Sequence, residues 1–343
     1  MRTLKPFFAA LALTLIFAVS PSLAKEPAAG TVTGGKVSAH PDWFKESFLD
    51  LPADVDEAAG EGKHVILFLE MNGCPYCYKM LEENFKAAPY RDLIQQHFDV
   101  IAINVRGDRE IALDAESSLT EKALADRLGV RYTPTLVFLD PSNRPVARVD
   151  GYRNPRDFER VLDYVRTKSY QHQTLSQYLD SGAAEPRYRF RDHPQIEMTT
   201  DLAALKDKPL ALLFEDADCI ACDALHDGHL ADSAVREALG RFHLVRLDAD
   251  SQDPIVAPDG SATTAGALAA SLGLTYSPSL VLFDSGREIA RIASMLYRYH
   301  FIGILEYVGE GHYARYPDSP FDYINAKTTE LTAAGQDVSI ADE

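Results

Sequence analysis

Cysteine is scarce in this chain, with four among 343 residues. They stand as Cys74, Cys77, Cys219 and Cys222, two Cys-x-x-Cys pairs that leave nothing over for scattered structural staples. Positive charge is also short. Against 34 Lys and Arg stand 51 Asp and Glu, a net charge of −17 that repels polyphosphate and anionic lipid, so nucleic acid is excluded as a partner. Beyond residue 24 no run is long and apolar enough to span a bilayer, so no membrane anchor is expected in the mature form. Hydrophobic residues are not lacking: at 46%, beside 25% charged, they suit a globular chain and rule out a disordered or collagenous one. At about 150 residues per domain, the length predicts two domains.

The N-terminus is set apart before any fold reasoning. It carries Arg2 and Lys5, an apolar run from Phe7 to Val19 broken only by Thr14, and Ser22-Leu23-Ala24 with small residues at both positions of a secretory cleavage site. Residues 1–24 therefore read as a cleaved signal peptide. Lys25 stands where a bacterial lipid anchor would need Cys. Residues 25–40, Gly-rich and polar, read as a flexible lead-in.

The text around the two cysteine pairs repeats. Cys74 and Cys219 lie 145 residues apart, and each follows an apolar run closed by a glutamate, Val65 to Glu70 and Leu210 to Glu215. Leu128-Gly129-Val130 and Tyr132-Thr133-Pro134-Thr135-Leu136-Val137-Phe138 match Leu272-Gly273-Leu274 and Tyr276-Ser277-Pro278-Ser279-Leu280-Val281-Leu282 at an offset of 144. Leu162-Asp163-Tyr164-Val165 matches Leu305-Glu306-Tyr307-Val308 at 143. So slow a drift marks an internal duplication. Each unit reads as helix, strand, Cys-x-x-Cys opening a helix, helix, strand, helix, strand pair and closing helix, an α/β pattern around a central sheet. Ser118 and Glu121 have the spacing of a capping box ahead of a helix from Ala123 to Leu128, and Asn154-Pro155 starts the closing helix. The boundary between repeats is expected in the polar stretch from about Asp180 to His193.

A Cys-x-x-Cys that follows a strand and opens a helix suits redox work. The first sulfur sits where unpaired N–H groups and the helix dipole stabilise a thiolate, and the second, one turn on, can attack a mixed disulfide and release the partner. Four thiolates could instead hold a structural zinc, but 141 residues separate the pairs and each has its own strand and helix. Haem attachment needs His after the second Cys, where Tyr78 and Asp223 stand. His226 is a weak copper ligand and reads as an exposed helix histidine. Asp216, Asp218 and Asp223 crowd the second pair. Acids oppose a thiolate, so Cys219/Cys222 is expected to have the lower reduction potential, and electrons passing between repeats to run from it to Cys74/Cys77.

Strand, Cys74-Pro75-Tyr76-Cys77, helix and a Thr133-Pro134 before a hairpin resemble the thioredoxin superfamily, here twice, over roughly residues 40–175 and 198–315. The stretch Gly129 to Phe138, Gly151-Tyr152 and the tail Tyr164 to Leu179 look like the periplasmic thioredoxins of bacterial sulfur-oxidation clusters. The resemblance implies an α/β fold of two tandem thioredoxin-like domains, each a central mixed sheet flanked by helices, at residues 41–182 and 194–330. It implies cis prolines at Pro134 and Pro278, which with Thr133 and Ser277 would form the substrate-binding edge. It also implies periplasmic thiol-disulfide exchange with protein partners, in the reducing direction, supplied with electrons by a membrane transporter. Cys74, Cys77, Cys219 and Cys222 are the catalytic residues on this reading, with no metal and no dissociable cofactor. The alternative is a substrate-binding or scaffold protein with one active and one degenerate repeat. The buried acid that many members carry six residues before the first Cys is replaced by Phe68 and Leu213, which leaves proton transfer to water or to another group such as Glu70 or Glu215.

Overall fold

The computed structural model describes residues 28–181 and 188–341. The expected signal peptide at 1–24, and the part of the expected repeat boundary at 182–187, lie outside the described residues.

The first domain runs β1 (Val32–Thr33), α1 (Leu51–Gly60), β2 (His64–Glu70), α2 (Pro75–Met80) continued by a π-helical turn (Leu81–Lys86), α3 (Arg91–His97), β3 (Phe98–Asn104), a hairpin β4 (Glu110–Ala112) and β5 (Ser118–Thr120), α4 (Glu121–Arg127), β6 (Thr135–Leu139), β7 (Pro145–Asp150), α5 (Pro155–Arg166) and α6 (Leu175–Ser181). The second runs β8 (Ile196–Glu197), β9 (Leu210–Glu215), α7 (Ile220–Asp227), α8 (Ser233–Leu239), β10 (His243–Asp248), a hairpin β11 (Pro254–Val256) and β12 (Ala262–Thr264), α9 (Ala265–Ser271), β13 (Ser279–Asp284), β14 (Arg287–Ile292), α10 (Arg298–Gly309), α11 (Pro320–Ala333) and β15 (Val338–Ser339). The sheets are ordered β3-β2-β6-β7 and β14-β13-β9-β10-β8. In both, the central strand before the cysteines pairs parallel to one neighbour and antiparallel to the other.

These central strands read as unbroken apolar runs because both of their faces are covered. In β2, Ile66 and Phe68 point into one core cluster while Val65, Leu67 and Leu69 point into another. In β9, Ala211 and Leu213 share the cluster of Ile66, and Leu210, Leu212 and Phe214 fill a third. The inner cluster is therefore continuous from one domain to the other.

Three local expectations are corrected. The second repeat opens with a 3₁₀ turn at Leu202–Ala204 rather than a helix, where Asp201 accepts from Ala204 N–H and Pro209 disfavours the helical conformation at the residue before it; β8 adds a fifth strand. Helix α4 starts at Glu121 and is capped by Thr120, whose hydroxyl accepts from Ala123 N–H. Ser118 lies in β5, bonded to Glu110, and Glu121 is buried against Arg109 and the Asn104 N–H. The lead-in, expected to be flexible, is tied down: Val32 and Thr33 pair in parallel with Val338 and Ser339, so the start of the first domain is bound to the end of the second. Asn154 caps α5 as expected, accepting from Asp157 N–H at 3.0 Å.

Candidate active site

Strand β2 ends at Glu70, and the chain turns through Gly73, whose φ of +78° favours glycine, to bring Cys74 to the start of α2. Pro75 fits the first turn, where its missing N–H has no helical partner to lose. Cys74 Sγ accepts from Cys77 N–H at 3.0 Å, and the two cysteines are joined as a disulfide with Cα atoms 5.3 Å apart. The Thr133-Pro134 peptide is cis, and Thr133 Oγ1 lies 3.4 Å from Cys74 Sγ. The sequence separation of 59 residues between Cys74 and Thr133 is thus closed at the sulfur. Lead-in residues Lys36, Ser38 and His40 wall one cavity with Glu70, Cys74 and Cys77, and His40 Nε2 meets Glu70 Oε1 at 2.5 Å.

The second motif keeps the plan and changes the surroundings. Cys219 and Cys222 form a disulfide at the start of α7, with Cα atoms 5.4 Å apart, and Ser277-Pro278 is also cis. Among the described residues no side-chain cap bond reaches Cys219. Cys219 lines a cleft shared with Tyr276 and Ser277 of its own domain and with Arg153 and Arg160 of the first. Tyr188 packs on both cysteines; its N–H donates to the Ala217 carbonyl and its hydroxyl to Glu215 Oε1 at 3.1 Å. The same oxygen meets His226 Nε2 at 2.8 Å. His226 is therefore a buried partner of a buried acid, where an exposed helix residue was expected. Burial pushes the Glu215 carboxyl above its usual range, although His226 and Tyr188 oppose that.

The acids around the second pair are not bare. Arg156 Nη2 lies 2.8 Å from Asp218 and Arg160 Nη1 3.8 Å, both from the first domain, and Arg191 Nη1 is 3.4 Å from Asp223. These guanidinium groups offset the acids that would otherwise oppose a thiolate at the second pair. A different asymmetry remains, since Cys77 N–H and Thr133 Oγ1 both point at Cys74 Sγ, and donors to a sulfur favour its thiolate.

Each motif also faces the other domain. Tyr76, between the first two cysteines, stacks on Tyr297 with ring centroids 5.1 Å apart; its hydroxyl accepts from Tyr297 N–H at 3.0 Å and donates to His300 Nδ1 at 2.7 Å. Burial pulls His300 down to about 4, so the ring is neutral and can accept that proton. Reciprocally, the Arg153 guanidinium lies over the Tyr276 ring, 4.6 Å from its centroid, and the Tyr132 hydroxyl donates to the Arg291 carbonyl. Cys74 and Cys77 are each 2% exposed, Cys219 3% and Cys222 0%. No motif or spacing in the sequence points to Tyr188, Arg153, Tyr297 or His300 as neighbours of the cysteines. Tyr188 lies outside the repeat match, and nothing in its neighbourhood marks it.

The profile of the thioredoxin-like domain family matches residues 51–166 and 196–309. The chain belongs to the thioredoxin-like family. Solved structures similar to parts of it include a thioredoxin-fold protein from Helicobacter pylori (25% identity, 33% of this chain and 74% of that one, TM-score 0.31). A thioredoxin from Thermus thermophilus matches at 27% identity over 35% of this chain and 85% of that one, TM-score 0.28. The periplasmic thioredoxin SoxS from Paracoccus pantotrophus matches at 20% identity over 31% of this chain and 99% of that one, TM-score 0.22. No curated protein matches the sequence. The two matched regions of the thioredoxin-like family model each hold one Cys-x-x-Cys and one cis proline.

Proposed function

We propose that this protein is an exported thiol-disulfide oxidoreductase that works in the periplasm as a reductase. It exchanges dithiol and disulfide with protein partners and draws electrons from a membrane transporter, with no metal and no dissociable cofactor. Cys74 and Cys219 attack, Cys77 and Cys222 resolve, and Thr133-Pro134 and Ser277-Pro278 offer the edge on which a partner lies. Residues 41–182 and 194–330 are the two working units, behind a cleaved leader at 1–24. The observation that carries this reading is the first motif: a strand end, a sulfur at a helix start that accepts Cys77 N–H, and Thr133 against that sulfur. The donors to Cys74 support the first pair as the more readily reduced one, so electrons run from Cys219/Cys222 to Cys74/Cys77. Both pairs are closed off in this conformation, so exchange requires the domains or the lead-in to part.

Trapping thiols with acid in the native host, followed by a mass-tagging alkylator, tests the direction. Cys74 and Cys77 found mostly as free thiols support a reductase. Found mostly as a disulfide that opens in mild reductant, they indicate an oxidant. A bridge that resists mild reductant indicates a structural disulfide. One observation favours the alternative of a binding or scaffold protein with a degenerate second repeat, namely the cover of Tyr188 over Cys219 and Cys222. Under that alternative a full chain with Cys219→Ser and Cys222→Ser exchanges at the wild-type rate; under the relay it loses its electron supply.

A further inference from the structure

Resting on the exchange reading, we infer that in each domain the glutamate closing the central strand, with its histidine, takes the proton of the second thiol: Glu70 with His40 for Cys77, and Glu215 with His226 for Cys222. Resolution of a mixed disulfide needs a thiolate, so the second cysteine must lose a proton. Phe68 and Leu213, within the central strands, are buried and carry no base.

Around the first pair the choice is narrow. Of the side chains that line the cavity with Cys74 and Cys77, Glu70 is the one carboxylate and His40 the one imidazole, and the two are already in contact. Around the second pair, Tyr188 touches both cysteines and binds Glu215 Oε1, which places the carboxyl one side chain behind the sulfurs. His226 is one turn beyond Cys222 on the same buried face of α7. Glu215 is wholly buried, and its second oxygen, Oε2, has no hydrogen-bond partner. A buried unsatisfied carboxyl oxygen is costly, and a proton acceptor is a reason to keep one.

The repeat supplies the independent argument. Both glutamates occupy the same place, the last residue of the central strand, yet the histidines come from different elements, the lead-in for one and α7 for the other. Two neighbourhoods thus provide one pairing beside one chemical group.

In the step itself, the Cys77 proton passes to Glu70 and Cys77 Sγ attacks Cys74 Sγ of the mixed disulfide. The Cys74–Cys77 bond forms, the bond from Cys74 to the partner's sulfur breaks, and the partner leaves as a thiolate, reduced by the two electrons that the cysteine pair gives up. In the second domain Cys222 attacks Cys219 likewise, and its proton reaches Glu215 by way of the Tyr188 hydroxyl, which already donates to Glu215 Oε1. The other charged and titratable groups facing the first pair are Lys36, Tyr78 and, through Ser38, the Glu82 and Lys86 ion pair. Around Glu215 they are Tyr188 and Arg246, with Arg191, Asp223 and Asp227 beyond them.

The test uses the full chain with the other pair changed to serine and a coloured aromatic disulfide as probe. One coloured thiolate is released when Cys74 attacks and a second when Cys77 resolves, so a stopped-flow trace separates the steps. Glu70→Gln is expected to leave the first phase unchanged and slow the second at least about tenfold near pH 6.5, with the deficit closing above about pH 8.5, where a thiol ionises unaided. Glu70→Asp should recover part of the loss, and Glu215→Gln should act likewise on the second pair. Wild-type second phases across the pH range, or slowing that is the same at every pH, overturn the inference and leave the exchange reading standing. A wild-type chain that releases no thiolate overturns both. Should Glu215→Gln fail to fold, the half-exposed Glu70 pair decides alone.

Discussion

Removing one oxygen from Tyr76 should open the first motif. In the closed arrangement the Tyr76 hydroxyl accepts from Tyr297 N–H at 3.0 Å and donates to His300 Nδ1 at 2.7 Å, while its ring stays 6% exposed against Tyr297. Tyr76→Phe keeps the stacking and deletes both bonds; the part-buried Tyr297 N–H can turn to water, so the buried His300 Nδ1 is the one group left orphaned. Such an orphaned group costs about 1–3 kcal/mol. The penalty falls on the closed arrangement alone, because water satisfies that nitrogen once the domains part. The open population should therefore rise roughly 5- to 150-fold. The assay is the rate at which a small dithiol opens Cys74–Cys77 in a chain whose second pair is serine, read by mass tagging of the freed thiols. Tyr164→Phe is the control: that hydroxyl donates to the Gln173 carbonyl at 2.8 Å inside the first domain, so its loss should weaken the fold without exposing the motif. Equal reduction rates in wild type, Tyr76→Phe and Tyr76→Ala, with folding intact, would refute the claim that the second domain shields the first motif.

Acidification should act at the same contact. His300 is pulled down to about 4 by burial against an unfolded value of 6.5, so the unfolded chain takes up its proton first. This contribution is whole above pH 6.5 and is lost as pH falls toward 4, by up to about 3 kcal/mol, and His300→Gln should flatten that limb of a denaturant series. Asn84→Ala should cost about 2–4 kcal/mol in chemical denaturation, because the wholly buried amide accepts from Tyr90 Oη at 2.5 Å and donates to the Arg153 carbonyl at 2.9 Å. Arg156→Ala removes the 2.8 Å contact to Asp218 and leaves the longer one to Arg160; a loss of about 1 kcal/mol is expected, with slower alkylation of reduced Cys219 because a less neutralised acid opposes the thiolate.

How much of this was legible depended on whether a signal was local. The central strands announced themselves because β2 and β9 are buried on both faces and so carry unbroken apolar runs, Val65 to Leu69 and Leu210 to Phe214. The motif cysteines and the two X-Pro sites were legible from the repeat, and Thr133 does meet Cys74. Side chains that reach a motif from distant elements were not legible. Tyr188 arrives from the linker, Tyr297 from the other domain and His40 from a stretch that read as flexible, and no spacing rule links any of them to a cysteine. The α4 cap was misplaced by two residues because Ser118 and Thr120 are both good cap residues, and the hairpin with β4 drew Ser118 into β5.

The duplication did not leave two equivalent sites. The first motif is closed by the lead-in and by Tyr297 and His300 of the second domain, whereas the second is closed by the linker's Tyr188 and by arginines of the first. Each domain therefore supplies part of the wall around the other's sulfurs, and the β1 and β15 pairing holds the two ends of the chain together across that arrangement. Cutting the repeats apart removes the walls along with the partner motif. A repeat assayed alone would then report an unshielded sulfur with altered neighbours, so its rate and potential describe a different environment. Site-silenced full chains keep the walls, and the difference between their rates and those of the separated repeats measures how strongly the shielding governs exchange.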